Sequence, residues 1–195
     1  MALPKVAVIN GSLRKESFNK KLALSVAKLA AGKLELKLID LSELPLYNQD
    51  LEGNYPAVAQ RVKDEIAAAD AVLFVTPEHN RSIPAALKNV IDWVSRPYGT
   101  SKWAGKPAAI LGASPGQIGT AVAQEHLRSI LVAQGVALLG RPEVYFVYKD
   151  GAFDAEHNVT DPAAKQILRG FVDAFAGWVE KLGVSAARNP ALAAK

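Results

Sequence analysis

The sequence predicts an α/β fold: a doubly wound, five-stranded parallel sheet in the order 2-1-3-4-5, with helices on both faces. Three observations predict it. Apolar runs of strand length alternate with stretches of helical periodicity along the chain, and such alternation with right-handed crossovers builds a parallel sheet covered on both sides. Hydrophobic residues make up 50% of the 195 positions and charged residues 22%, enough apolar material for a sizeable core. Three of the runs end in loops rich in hydroxyls, amides and glycines, and this strand order gathers the loops after the first, third and fourth strands at one edge.

Each element has its own signal. Residues 5–10 read as a buried strand, and 17–31 as a helix with Leu22, Val26 and Leu29 on one face and Gly32 past its end. Residues 34–40 alternate apolar and polar, as a more exposed edge strand does. A turn-rich connection covers 41–55. Residues 56–69 form the second helix, with Pro56 in its first turn and Val58, Val62 and Ile66 recurring every fourth position. The most apolar strand, 71–76, belongs at the centre of the sheet. The third helix, 84–94, carries Leu87, Val90, Ile91 and Val94 on one side; strand 107–113 and helix 121–133 follow. Residues 136–139 and 144–147 flank Arg141-Pro142-Glu143, so the fifth strand is expected to be interrupted or bent. The last helix, 162–182, bears a stripe of Leu168, Phe171, Phe175, Trp178 and Leu182. Residues 1–182 are expected to form a single domain, and the small-residue-rich segment 183–195 a loose tail.

Composition narrows the partners. The net charge of +4 is mild, and Lys and Arg do not interleave with aromatics, so no nucleic-acid partner is expected. A mildly basic balance suits an anionic cofactor such as a nucleotide. With no cysteine there is no disulfide, thiolate nucleophile or thiolate metal site. His126 and His157 lack ligand spacing, so no metal is expected. The chain enters a strand directly after Pro4 without a secretory pattern, and its apolar runs fall short of the ~18 residues of a membrane span. A cytoplasmic location and no membrane partner are the expectation.

The first loop, Asn10-Gly11-Ser12-Leu13-Arg14-Lys15-Glu16-Ser17-Phe18-Asn19, opens a helix whose amino terminus offers free amides and partial positive charge to a phosphate. Ser12, Ser17 and Asn19 add short hydrogen-bonding groups and Arg14 a charge-assisted contact. Ser17 as a helix cap and Arg14 as a solvated side chain are the plainer alternatives. Neither a P-loop nor a Gly-x-Gly-x-x-Gly fingerprint is present, and Asp40 reads as a strand-end cap or turn residue rather than a ribose ligand. In the second loop, Pro77 and Pro84 stiffen both ends of Glu78-His79-Asn80-Arg81-Ser82-Ile83. In the third, Ser114, Gly116 and Gly119 suit close backbone approach and Gln117 offers an amide, although an ordinary turn also accounts for Pro115-Gly116.

The first loop together with Pro77-Glu78-His79-Asn80-Arg81-Ser82-Ile83-Pro84 and Leu87-Lys88-Asn89-Val90-Ile91-Asp92-Trp93 resembles the NADPH-dependent FMN reductase family. Within that family the chain resembles the bacterial quinone reductases also described as chromate reductases, over about residues 5–182. The resemblance implies a flavodoxin-like fold. It implies Ser12, Arg14, Ser17 and Asn19 at the FMN phosphate, and Pro77, Glu78, His79, Asn80, Ser82 and Ile83 along the isoalloxazine, partly through backbone groups. Ser114, Gly116, Gln117 and Gly119 would face the same cofactor. His79 stands where the family usually has tyrosine, and a wall or gate role is assigned to it; the cofactor carries the chemistry, so no side chain is named as catalytic. By the same resemblance Lys88, Asn89, Asp92 and Trp93 mark a subunit contact and a homodimer. A tetramer is the alternative, with Val122 and Glu125 unlike the arginine and tyrosine expected at that contact.

The implied activity is two-electron transfer from NADPH or NADH through FMN N5 to a quinone-like acceptor in ping-pong order, with chromate or azo compounds as further acceptors. A non-catalytic FMN electron carrier or redox sensor is the rival, disfavoured because flavodoxins are strongly acidic and this chain is positive. A receiver-type signalling domain would need acidic residues where this chain has Asn10-Gly11 and Thr76-Pro77.

Overall fold

The structure, a computed structural model, describes residues 2–188. In chain order the elements are β1 (Lys5–Asn10), α1 (Phe18–Leu29), β2 (Glu35–Leu38), a 3-10 turn (Gln49–Asn54), α2 (Ala57–Ala67), β3 (Ala71–Val75), α3 (Ala85–Val94), β4 (Pro107–Ser114), α4 (Ala121–Ala133), β5 (Ala137–Leu138), β6 (Tyr145–Val147) and α5 (Pro162–Arg188). The strands pair in the order β2-β1-β3-β4-β5, all parallel, which is the predicted topology.

Strand periodicity divides the core. Val6 and Val8 of β1 face a cluster with Leu22 and Val26 of α1 and Leu168, Phe171 and Phe175 of α5. Ala7 and Ile9 face the opposite side, with Val62 and Ile66 of α2, Leu87 and Val90 of α3 and Leu127 of α4. β3 is buried at every position, as the central strand of a sheet covered on both faces must be. At the edge, β2 alternates exposed and half-buried residues.

The fifth strand is divided as the Arg141-Pro142-Glu143 interruption predicts. β5 pairs with the start of β4 (Pro107↔Ala137, Ala108↔Leu138), whereas β6 pairs with its end (Gly112↔Tyr145 through Ser114↔Val147). The division brings β6 alongside the carboxyl end of β4, where the three loops converge.

Two expectations need correction. α5 does not stop at Leu182 but continues to Arg188. Alanine is the strongest helix former, so the run through Ala186 and Ala187 extends a helix where low side-chain bulk reads as looseness. Of the expected loose tail, 189–195 lies outside the described residues. The second correction concerns α3. Trp93 is fully buried and Asn89 is 8% exposed, so both side chains pack within their own chain rather than projecting from α3. They order the 41–55 connection instead. Trp93 Nε1 and Asn89 Nδ2 both donate to the Pro45 carbonyl, at 2.7 and 2.8 Å, and Asn89 Oδ1 accepts from Tyr47 N at 2.7 Å. Tyr47 and Tyr55 each set a ring edge-on to Trp93 at 5.1 Å. The Tyr55 hydroxyl donates to the Trp93 carbonyl at 2.5 Å. Burial pushes the Tyr55 pKa up to about 12, so it stays a donor. Lys88 and Asp92 remain at the surface, paired with each other at 2.7 Å.

Candidate functional site

The loops after β1, β3 and β4 enclose a cleft of about 510 Å³ at the carboxyl ends of the strands. This is the position where open parallel sheets bind ligands, and the volume falls in the range of small-molecule sites. The first loop contributes polar Ser12 and Arg14 to its lining, and the second loop with the start of α3 contributes the stiff, apolar Pro77, Pro84, Ala85 and Ala86.

Of the predicted site residues, Ser12, Arg14, Asn19, Pro77, Glu78, His79 and Ser114 line the cleft. Ser17, Asn80, Ser82, Ile83, Gly116, Gln117 and Gly119 lie in the same loops without lining it. Several predicted side chains are already committed to the fold. The Ser17 hydroxyl caps α1, accepting from Lys20 N at 3.1 Å, and Ser17 is 1% exposed. Asn19 ties α1 to β4 with a reciprocal pair: its Nδ2 donates to the Ala113 carbonyl and its Oδ1 accepts from Ala113 N, both at 2.8 Å. Ser17 and Asn19 thus cap and tether α1, as buried polar groups bonded to backbone do, while the Ser17 O–H is left free to donate and Asn19 lines the cleft. Ser12, Leu13, Arg14, Phe18 and Asn19 reach the cleft from this loop, and Arg14 brings its charge. Asp40 accepts from Ser42 N at 2.9 Å, as the turn reading expects, and that bond is the main cause holding its carboxyl below the usual range.

In the second loop, His79 and Ser82 exchange backbone hydrogen bonds at 3.0 and 2.9 Å, closing a hairpin turn. Its two central residues, Asn80 and Arg81, have φ of 50° and 63°. Asparagine adopts that region readily; arginine does so at a cost, a strain characteristic of functional loops. Glu78 points away from acid–base work. Its Oε2 accepts from Val122 N and Ala123 N, both at 3.1 Å, and its Oε1 pairs with Arg81 at 3.2 Å. Thr120 makes no side-chain cap for α4, so Glu78 supplies the negative charge and acceptors that the helix start needs. The carboxylate therefore locks the 78–82 hairpin to α4. Ser82 Oγ adds a second tie, 3.0 Å from His126 Nδ1. Glu78→Ala is expected to cost about 2–3 kcal/mol, the scale of a charge-assisted hydrogen-bond pair in a buried setting, and Glu78→Gln about half as much; urea midpoints check the ranking.

In the third loop, the Ser114 hydroxyl accepts from Gly116 N at 3.1 Å, forming a local turn. Gly119 has φ of 60°, and a Cβ there would lie 2.9 Å from the Tyr145 backbone. Its glycine is demanded by the passage of β6, a packing requirement the sequence did not show.

Sequence reasoning missed Phe18, Ala85 and Ala86 in the cleft wall, and the Tyr148 ring stacked on Phe18 at 3.8 Å. Phe18 follows the cap as the first residue of α1, and only the docking of that helix shows which way its ring faces.

A family profile described as NADPH-dependent FMN reductase matches residues 4–150. The chain belongs to the NADPH-dependent FMN reductase family. Among members of this family, it is 47% identical over 179 residues to a 2-hydroxy-1,4-benzoquinone reductase of Burkholderia sp, covering 92% of this chain and 97% of that protein. It is 47% identical over 176 residues to a quinone reductase of Pseudomonas putida, covering 90% and 94%. Among solved structures, the flavoenzyme NAD(P)H:(acceptor) oxidoreductase FerB of Paracoccus denitrificans superposes with a TM-score of 0.89 at 48% identity, covering 92% of this chain and 98% of that one. The family's flavodoxin-like architecture is the one described above.

Proposed function

We propose that this chain is an FMN-dependent NAD(P)H:quinone oxidoreductase. The observation that carries the proposal is the cleft lined by polar Ser12 and Arg14 together with apolar Pro77 and Pro84, in a chain of this family with quinone reductases among its relatives. The donor set suits a flavin mononucleotide: a guanidinium and helix-start amides for a phosphate, and proline and alanine surfaces for a flat ring.

When bound, FMN supplies the two-electron chemistry. The chain's residues bind and orient. Arg14 and Ser12 hold the phosphate end. Pro77, Pro84, Ala85 and Ala86 form a wall that excludes water from one side of the ring. The 78–82 hairpin, fixed to α4 by Glu78 and Ser82, keeps its backbone amides at the ring edge with little freedom to lose on binding. Ser114, Gly116, Gln117 and Gly119 contribute backbone approach from the third loop. His79, exposed at the mouth, gates entry of the donor and then of the acceptor. The proposal includes a homodimer of this 20.8 kDa chain in the cytoplasm; among the described residues no helix is long and apolar enough to cross a membrane. Chromate and azo compounds are candidate further acceptors.

The test is spectroscopic and kinetic. Purified protein with FMN should show flavin absorbance that NADPH or NADH bleaches and benzoquinone restores. Initial rates against both substrates should give parallel reciprocal plots, as successive use of one site requires. Absence of flavin binding overturns the proposal, and intersecting plots overturn the shared site.

A further inference from the structure

The positive charge in the cleft lining comes from an arginine that is exposed and long, so its aim is costly to fix. Arg14 is nevertheless held from two sides. Its Nη2 donates to the Glu16 carbonyl at 2.5 Å, and its guanidinium carbon lies 4.3 Å from the centroid of the Phe18 ring. Phe18 is itself backed by Tyr148, their rings stacked at 3.8 Å with planes 19° apart. Tyr148 follows the end of β6, and its backbone N donates to the Ser114 carbonyl at 2.9 Å. A guanidinium and two rings thus run from the first loop, across the first residue of α1, to the strand that the division of β5 and β6 brings alongside β4.

We infer that Tyr148, acting through Phe18, is a positioning residue for Arg14, holding its guanidinium ready for a phosphate so that the phosphorylated flavin is selected over its dephosphorylated form. This rests on the flavin reading of the cleft. Tyr148 does not line the cleft, so its effect must pass through the stack. A cation over a ring face is attracted by the ring quadrupole, and the same ring limits the rotamers of the side chain above it. Removing the backing ring lets Phe18 turn and frees Arg14, a loss that only a ligand carrying the phosphate feels.

The experiment compares FMN and riboflavin dissociation constants by flavin fluorescence for wild type, Tyr148→Leu, Tyr148→Phe, Arg14→Ala and the Arg14→Ala/Tyr148→Leu double variant. Tyr148→Leu is expected to weaken FMN about threefold to fivefold, the scale of one exposed cation–π contact, with riboflavin unchanged. Tyr148→Phe, which keeps the ring, restores wild-type FMN affinity. In the Arg14→Ala background Tyr148→Leu has no further effect, because the interaction it supports is gone. Equal weakening of both flavins, additive losses in the double variant, or unchanged FMN affinity in Tyr148→Leu overturns the inference while leaving the flavin reading intact. A wild-type chain that binds neither flavin overturns that reading itself.

Discussion

Gly112→Ala is expected to destabilise the protein by about 3 kcal/mol or more, the upper range for overpacking a well-filled core. A Cβ at Gly112 would stand 2.1 Å from the Thr76 carbonyl oxygen and 2.2 Å from Thr120 Oγ1. The first of these atoms is backbone of the neighbouring loop and cannot rotate away. The second is held by Gln124, whose Nε2 donates to Thr120 Oγ1 at 2.9 Å and to the Val144 carbonyl at 2.8 Å. Relief therefore requires β3 and β4 to separate just where their loops form the cleft. Thermal unfolding should fall by roughly 6–12 °C for a chain of this size, and flavin affinity should fall with it. Adding Thr120→Ala should not restore stability, since the contact with the Thr76 carbonyl remains. A Gly112→Ala protein that melts within a degree or two of wild type would contradict this packing.

Trp93→Ala should cost about 4 kcal/mol, in the range for emptying a fully buried aromatic site. Trp93 buries its whole side chain, receives two tyrosine edges and donates to the Pro45 carbonyl. The loss should be local in a second, separable sense. The 41–55 connection contributes few residues to the core, and its order depends on Trp93 and Asn89, so limited proteolysis should begin cutting near Leu46, which is 77% exposed. Trp93→Phe keeps a ring between Tyr47 and Tyr55 but leaves the Pro45 carbonyl with Asn89 alone, at an expected cost of about 1–2 kcal/mol. Urea midpoints and cleavage patterns of the two variants check both parts; equal destabilisation by Phe and Ala would place the energy in the indole hydrogen bond rather than the packing.

Much of the site was legible before the fold was known. The three loops were recognisable because each breaks an apolar run with residues that form poor strands and good ligand surfaces, and because strand order alone places them together. Pro77 and Pro84 could be read as stiff ends since proline fixes φ wherever it stands. The roles of individual polar residues were less legible. Ser17, Asn19 and Glu78 are chemically suited to a ligand, and nothing local distinguishes a hydroxyl that caps a helix from one that meets a phosphate. The partners that claim Asn19 and Glu78 are the Ala113 backbone and the start of α4, both distant in the chain.

By itself the sequence determined the layered α/β architecture, the strand order, the break in the fifth strand and the family, because periodicity and turn chemistry are local and act within a few residues. Only the tertiary structure decided which polar groups cap and tether other elements, that Asn89 and Trp93 face inward, and that Tyr148 reaches Phe18. Those outcomes depend on where donors and rings from different elements meet, and satisfaction of buried hydrogen bonds is a property of the packed whole rather than of any segment.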